Sequence, residues 1–232
     1  MTGSPTHVET PDGPMPAHLW LPASGRGPGL LLLQEIFGIS RYVSSRAQDL
    51  ADLGYVVLAP EIYWRLGVSR VAEGPEAMDE GLALMGRVDW DTAVGDAAAA
   101  LADLRSRPEV AGGAGVVGLC FGGGLGFHLA ALEEPDALVA YYGSAIPHLL
   151  GLAPQVTCPS LHHLGLADAY IAGDAREDML AALQAQPATR VETYEGADHA
   201  FDNPDIPLHH EGASAAAWAH TVAFLAEQLP TA

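Results

Sequence analysis

Residues 116–124 read VVGLCFGGG, an apolar run that ends in glycines crowded around a single cysteine. The run GAGVVGLC (113–120) has the length and bounds of a buried strand, and GGGLGFHLAALEE (122–134) reads as a helix. A cysteine at such a junction is either a small buried residue in a tight turn or a nucleophile held on that turn. The same alternation continues in both directions. HVETPDGPMPAHLWLP (7–22) predicts two short strands around a Pro-Asp-Gly turn. GPGLLLLQEIFG (27–38), YVVLAPEIY (55–63), ALVAYYG (137–143), SLHHLGL (160–166) and RVETYEG (190–196) predict further strands. Helices are expected over 41–54, 89–107, 174–186 and 212–229, while 64–89 is irregular, a lid or a short helix. Strands alternating with helices imply a mostly parallel central sheet with helices on both faces, here with an N-terminal antiparallel edge hairpin. No linker or repeat divides the chain, so residues 1–232 are read as one α/β domain.

Composition narrows the functions. Hydrophobic residues make up 49% of the chain and charged residues 17%, as in a folded globule. Asp and Glu number 29 against 10 basic residues, all of them Arg, for a formal charge of -19. Such a surface repels nucleic acid and anionic membranes. No apolar run approaches the length of a membrane span, and the N-terminus lacks a signal-peptide pattern. Two cysteines, Cys120 and Cys158, form no disulfide framework, so a cytoplasmic location is expected.

In open α/β sheets, function gathers at the carboxyl ends of strands. Glu35, Cys120, Asp168 and His199 each sit at such an end. Gly118 and Gly122 flank Cys120 at two residues either side, the small-residue pattern of a nucleophile elbow with Cys in place of Ser. The positive end of the following helix favours a thiolate. The order Cys120, Asp168, His199 is the nucleophile–acid–histidine order of the α/β-hydrolase fold. In that arrangement His199 takes the thiol proton and Asp168 orients the imidazole. The N–H groups of Phe121 and of Ile36, in the loop after the third strand, are the expected oxyanion donors.

The segments QEIFGIS (34–40), GLCFGGG (118–124), GLADAY (165–170) and EGADHAF (195–201) resemble the dienelactone hydrolase family of the α/β-hydrolase superfamily. The likeness runs from the first strand to the last helix. It implies a Cys–His–Asp triad at Cys120, His199 and Asp168. It also implies that Glu35 lies beside the nucleophile and keeps the thiol protonated until substrate moves the carboxylate. No cofactor or metal is implied.

The chain departs from the family at its carboxylate clamp. The resemblance implies two arginines that hold a substrate carboxylate, and those positions here carry Asn203 and, in a looser alignment, Met78. Arg41, Arg65, Arg70 and Arg87 are surface residues first and substitute clamps second. Phe37, Trp64, Met78, Met85, Tyr142, Ala200, Phe201 and Asn203 are the expected pocket residues. His162 and His163 alternate across a strand, so they are not a facing metal pair. The expected activity is hydrolysis of a small lactone or activated ester through a cysteine acyl-enzyme, by a monomer or homodimer. Hydrolysis of a carboxylate-bearing dienelactone is the alternative. A non-catalytic small-molecule binder and a redox-responsive thiol protein are the rivals from other classes.

Overall fold

The short apolar runs become strands, and the stretches between them become helices. A computed structural model describes residues 3–171 and 173–231. These fall into two units, divided after Gly115 within the fifth strand, with Thr231 joining the first.

In the first unit, β1 (Ser4–Thr10) and β2 (Gly13–Trp20) form the expected antiparallel hairpin, with Thr10 opposite Gly13. β2 pairs antiparallel with β4 (Val56–Pro60), and β4 pairs parallel with β3 (Gly27–Leu33). Every residue of β4 is buried, which explains its unbroken apolar sequence. Ser40 caps α1 (Arg41–Asp52) by accepting the Val43 N–H, and Asp89 caps α3 (Trp90–Ser106) by accepting the Thr92 N–H. Each such cap stabilises a helix by about 1 kcal/mol.

The stretch 64–89 is more ordered than its sequence suggests. It holds a 3-10 turn at Trp64–Leu66 and a helix, α2 (Ala77–Met85). α2 lies so close to the loop after β3 that a Cβ added at Gly81 would meet the Ile36 side chain and carbonyl oxygen at 3.1 Å. The same loop is tied by backbone hydrogen bonds from Ile39 to Ser69 (3.0 Å) and from Val71 to Phe37 (3.0 Å).

The second unit continues β5 (Val110–Leu119) into β6 (Leu138–Tyr141), β7 (Ser160–Gly165) and β8 (Thr189–Tyr194), each parallel to its neighbour. α4 (Phe121–Glu133), α5 (Asp174–Gln184) and α6 (Glu211–Gln228) pack on these strands. β7 shows why both faces need cover. His162 sets its ring against Phe127 of α4, whereas His163 hydrogen-bonds Thr221 of α6 (2.9 Å). Adjacent residues of a strand point to opposite faces, so the two helices lie on opposite sides of it.

The two histidines differ in how they are satisfied. His163 is bonded at both ring nitrogens, to Tyr194 (2.8 Å) and Thr221. His162 is fully buried and, among the described residues, neither ring nitrogen has a hydrogen-bond partner. Burial pushes its pKa from 6.5 down to about 3, and burial with the nearby His220 and His162 charges holds His163 well below its usual value. Folding therefore excludes protons at both sites. Stability is intact above pH ~6.5 and falls as pH drops from there toward the folded values. His162→Leu should raise the unfolding free energy at pH 7 by about 1–3 kcal/mol, because it removes an unsatisfied buried polar group. It should also flatten the acid decline by up to ~1.4 kcal/mol per pH unit, one proton's share. Urea titrations at pH 7 and pH 5 check this; an unchanged pH slope in the variant would refute it.

Candidate active site

Strand register brings the site residues of the second unit together. Leu119 pairs with Tyr141, Tyr141 with His163, and Gly165 with Tyr194. The loops after β5, β6, β7 and β8 therefore leave the same end of the sheet. Cys120 follows β5, Tyr142 follows β6, Asp168 follows β7 and His199 follows β8.

Cys120 occupies the turn into α4 with φ 53° and ψ -112°, a conformation that costs energy for any residue with a side chain. Hydrogen bonds hold it there. The Cys120 N–H donates to the Tyr141 carbonyl (3.0 Å), and the Cys120 carbonyl accepts from Gly123 (2.9 Å) and Gly124 (3.2 Å). The glycines are required by contact. A Cβ on Gly118 would fall onto the Gly122 carbonyl oxygen, and one on Gly123 would lie 2.9 Å from the Gly143 Cα.

Cys120, His199 and Asp168 form one hydrogen-bonded series. The thiol sulfur lies 3.1 Å from His199 Nε2, and His199 Nδ1 lies 2.8 Å from Asp168 Oδ2. All three are buried, with exposures of 7%, 6% and 2%. Asp168 uses its other oxygen to accept the N–H groups of Tyr170 (2.8 Å) and Ile171 (3.0 Å). Burial alone would lower the His199 pKa. The Cys120 sulfur and the hydrogen bond to Asp168 outweigh it, and the imidazole is held well above its usual value. The arrangement can pass a proton from sulfur to nitrogen while the charged imidazole stays paired.

Two residues that sequence reasoning passed over complete the support. Asp198 Oδ1 accepts the N–H of Ala169 (3.0 Å) and of His199 (2.7 Å), tying the acid's loop to the histidine's. Tyr170 sets its ring 4.9 Å from the His199 ring. Asp198 stands one residue before His199 in EGADHAF and Tyr170 two residues after Asp168 in GLADAY, and only the meeting of the two loops gives them a role.

The expected pocket residues divide between the units. Tyr142, at φ 39°, packs its ring 5.2 Å from His199. Phe201 is fully buried between Tyr142 (5.3 Å) and Tyr194 (5.1 Å), so it backs the site as part of the core. Ala200 is buried with φ 53°. Asn203 is buried and its Oδ1 accepts the Asp205 N–H (2.9 Å), a turn-forming bond. In the first unit, Glu35 and Ile36 are buried while Phe37, Met78 and Met85 are partly exposed. Trp64 donates its indole N–H to the buried Asp96 (2.8 Å), which anchors it to α3.

The arginines weighed as substitute clamps are also in the first unit. Arg65 is committed, bonding Asp96 through Nε (3.1 Å) and a terminal nitrogen (2.8 Å), and Asp12 through the other (2.8 Å). It and Arg87 border a cavity of about 120 Å³ that also includes Asp89 and Asp96. Arg41 and Arg70 border another of about 460 Å³ with Ser40 and Glu73.

Cys158 lies at the opposite end of the strands from Cys120. Val116, Leu138 and Ser160 are level in the sheet. Cys158 precedes that level by two residues and Cys120 follows it by four, a separation of roughly 20 Å along the strands. Burial raises the Cys158 pKa to about 11, with Asp136 and Glu134 adding to the rise. It is an inert thiol, far beyond disulfide reach of Cys120.

Parallel strands alternating with helices, and a strained elbow between β5 and α4, define an α/β hydrolase. The dienelactone hydrolase family model matches residues 15–229, and the chain belongs to that family. It is 34% identical to a carboxymethylenebutenolidase of Pseudomonas sp. (strain P51), over 92% of this chain and 90% of that one. A carboxymethylenebutenolidase of Pseudomonas putida is 31% identical over 88% of each chain. Among solved structures, a Klebsiella pneumoniae protein provisionally assigned as a dienelactone hydrolase superposes with a TM-score of 0.85 at 27% identity, covering 97% of this chain and 98% of that one. The protein is thus an enzyme, a lactone or ester hydrolase of the dienelactone hydrolase type. Among the described residues, no helix is long and apolar enough to cross a membrane.

Proposed function

We propose that the enzyme opens a small, uncharged lactone or activated ester through a thioester on Cys120. The hydrogen-bonded series from the Cys120 sulfur through His199 to Asp168 carries this reading. The thiol proton moves to His199 Nε2, and the sulfur attacks the carbonyl carbon. The carbonyl electrons move to oxygen, which takes hydrogen bonds from the N–H groups of Phe121 and Ile36. As that tetrahedral adduct collapses, the C–O bond to the leaving group breaks and His199 returns its proton to the departing oxygen. A water then loses a proton to His199 and attacks the thioester, releasing acid and thiol. A thiolate suits activated leaving groups, because a poor one would leave more slowly than the sulfur itself. Glu35, a buried carboxylate, takes the restraining role that the family likeness implies. Phe37, Trp64, Met78, Met85, Tyr142, Ala200, Phe201 and Asn203 are proposed to shape the substrate's surroundings.

An uncharged substrate is favoured by the net charge of -19, by Asn203 at the clamp position and by the commitment of Arg65 to two aspartates. The carboxylate-bearing dienelactone is the second reading, favoured by the carboxymethylenebutenolidase relatives. We place the enzyme in the cytoplasm, where unpaired thiols persist, acting as a monomer or homodimer without nucleic acid.

Wild type and Cys120→Ala are to be assayed on p-nitrophenyl acetate and on matched lactones with and without a ring carboxylate. The expected result is turnover that disappears with the thiol and favours the uncharged lactone. Preference for the carboxylated lactone would overturn the substrate assignment. Equal activity in the variant would overturn the nucleophile. Tight ligand binding without turnover would favour a binder, and peroxide-sensitive Cys120 without hydrolysis a redox protein.

A further inference from the structure

Two tyrosine rings pack against the His199 imidazole. Tyr142 is fully buried and meets it at 5.2 Å with the planes 62° apart. Tyr170 meets it at 4.9 Å and 54°, yet is 55% exposed, one of only three large hydrophobic residues so exposed among those described. An aromatic side chain left in water usually has little to hold it in place. Here the backbone holds it, since the Tyr170 N–H is bonded to Asp168, the same carboxylate that orients the imidazole.

We propose that Tyr170 is a positioning residue for His199, stabilising the charged imidazole through its ring face while shielding it from water. This rests on Cys120 and His199 being the reacting pair. When the S–H bond breaks and the N–H bond forms, the imidazole gains a positive charge. An aromatic face within about 6 Å attracts such a charge, and the attraction is larger when water is kept away. Among the described residues of this unit, the titratable groups that bond to or pack on His199 are Cys120, Asp168, Asp198, Tyr142 and Tyr170, Asp198 through the backbone N–H. Asp168 opposes the charge on one ring nitrogen and the sulfur takes the other. The rest of the ring is left to its aromatic neighbours, of which Tyr142 is buried and Tyr170 is the one that meets solvent. One carboxylate thus sets both the imidazole and the ring that covers it.

Iodoacetamide alkylation of Cys120, followed against pH, tests this without requiring any ester to turn over. Wild type is compared with Tyr170→Ala, Tyr170→Leu and Tyr170→Phe, each first checked for folding by circular dichroism. Leu keeps apolar cover but removes the aromatic face; Phe keeps the face but removes the hydroxyl. Both Leu and Ala are expected to slow alkylation about two- to five-fold near neutral pH and to move its half-rise to higher pH. Phe should match wild type. On p-nitrophenyl acetate, kcat should fall in Leu with KM little changed. A Leu variant with the wild-type pH profile would overturn the proposal, leaving Tyr170 as mere cover. So would a Phe variant that falls as far as Ala, which would assign the effect to the hydroxyl. Normal alkylation profiles with no esterase activity in wild type would instead sink the proposed reaction.

Discussion

Asp168→Asn should lower kcat by on the order of 10³–10⁴ while leaving KM nearly unchanged. The expectation follows from how the carboxylate is used. Oδ1 accepts two N–H groups, from Tyr170 and Ile171, and Oδ2 faces His199 Nδ1. Asparagine in the same rotamer keeps its oxygen on the two N–H groups, because its amide nitrogen cannot accept them. The nitrogen then points at Nδ1 as a donor. The imidazole must answer by carrying its proton on Nε2, the atom that accepts the thiol proton from Cys120 in the proposed reaction. The fold and its turn survive while the base is blocked. Activity on p-nitrophenyl acetate, together with an unchanged circular dichroism spectrum, checks this. Activity within tenfold of wild type would show that Asp168 does not set the tautomer.

The second large effect is on stability. Gly118→Ala is expected to cost about 4 kcal/mol or more, or to prevent folding, since the added methyl meets the Gly122 carbonyl oxygen. Both groups are backbone, one in β5 and one in the first turn of α4, and no side chain can swing away to make room. Gly95 offers the contrast. It lies inside α3, where an added Cβ would meet no neighbouring element within 4 Å, so Gly95→Ala should stabilise by about 0.5–1 kcal/mol. Urea unfolding of the two variants should therefore move in opposite directions. A Gly118→Ala protein as stable as wild type would mean that the elbow can open.

The sequence carried most of the architecture because its signals were local. The run Val56–Pro60 is unbroken and apolar, and all of it is buried. Asp89 before α3 and Ser40 before α1 mark the starts of their helices by residue type alone. The elbow was legible because the glycines around Cys120 answer a steric demand within four residues. What was hidden depends on contacts distant in sequence. α2 has a glycine at its centre, and its helical form goes with close packing over Ile36, which no window of ten residues reveals. Asp198 and Tyr170 acquire their roles only when parallel register sets the loops after β7 and β8 side by side. The 3-10 turns over Ile146–His148 and Leu150–Gln155 carry no periodic pattern and escaped for that reason.

The placement of the two cysteines has a consequence for the working life of the enzyme. An oxidant that takes the Cys120 sulfur to its sulfenic form leaves it with no second thiol within reach among the described residues. Cys158, at the far end of the strands and held as a thiol near neutral pH, cannot serve. Repair must come from outside, from a small thiol able to reach a group that is 7% exposed. Without such a thiol, further oxidation leads to the irreversible sulfinic and sulfonic acids.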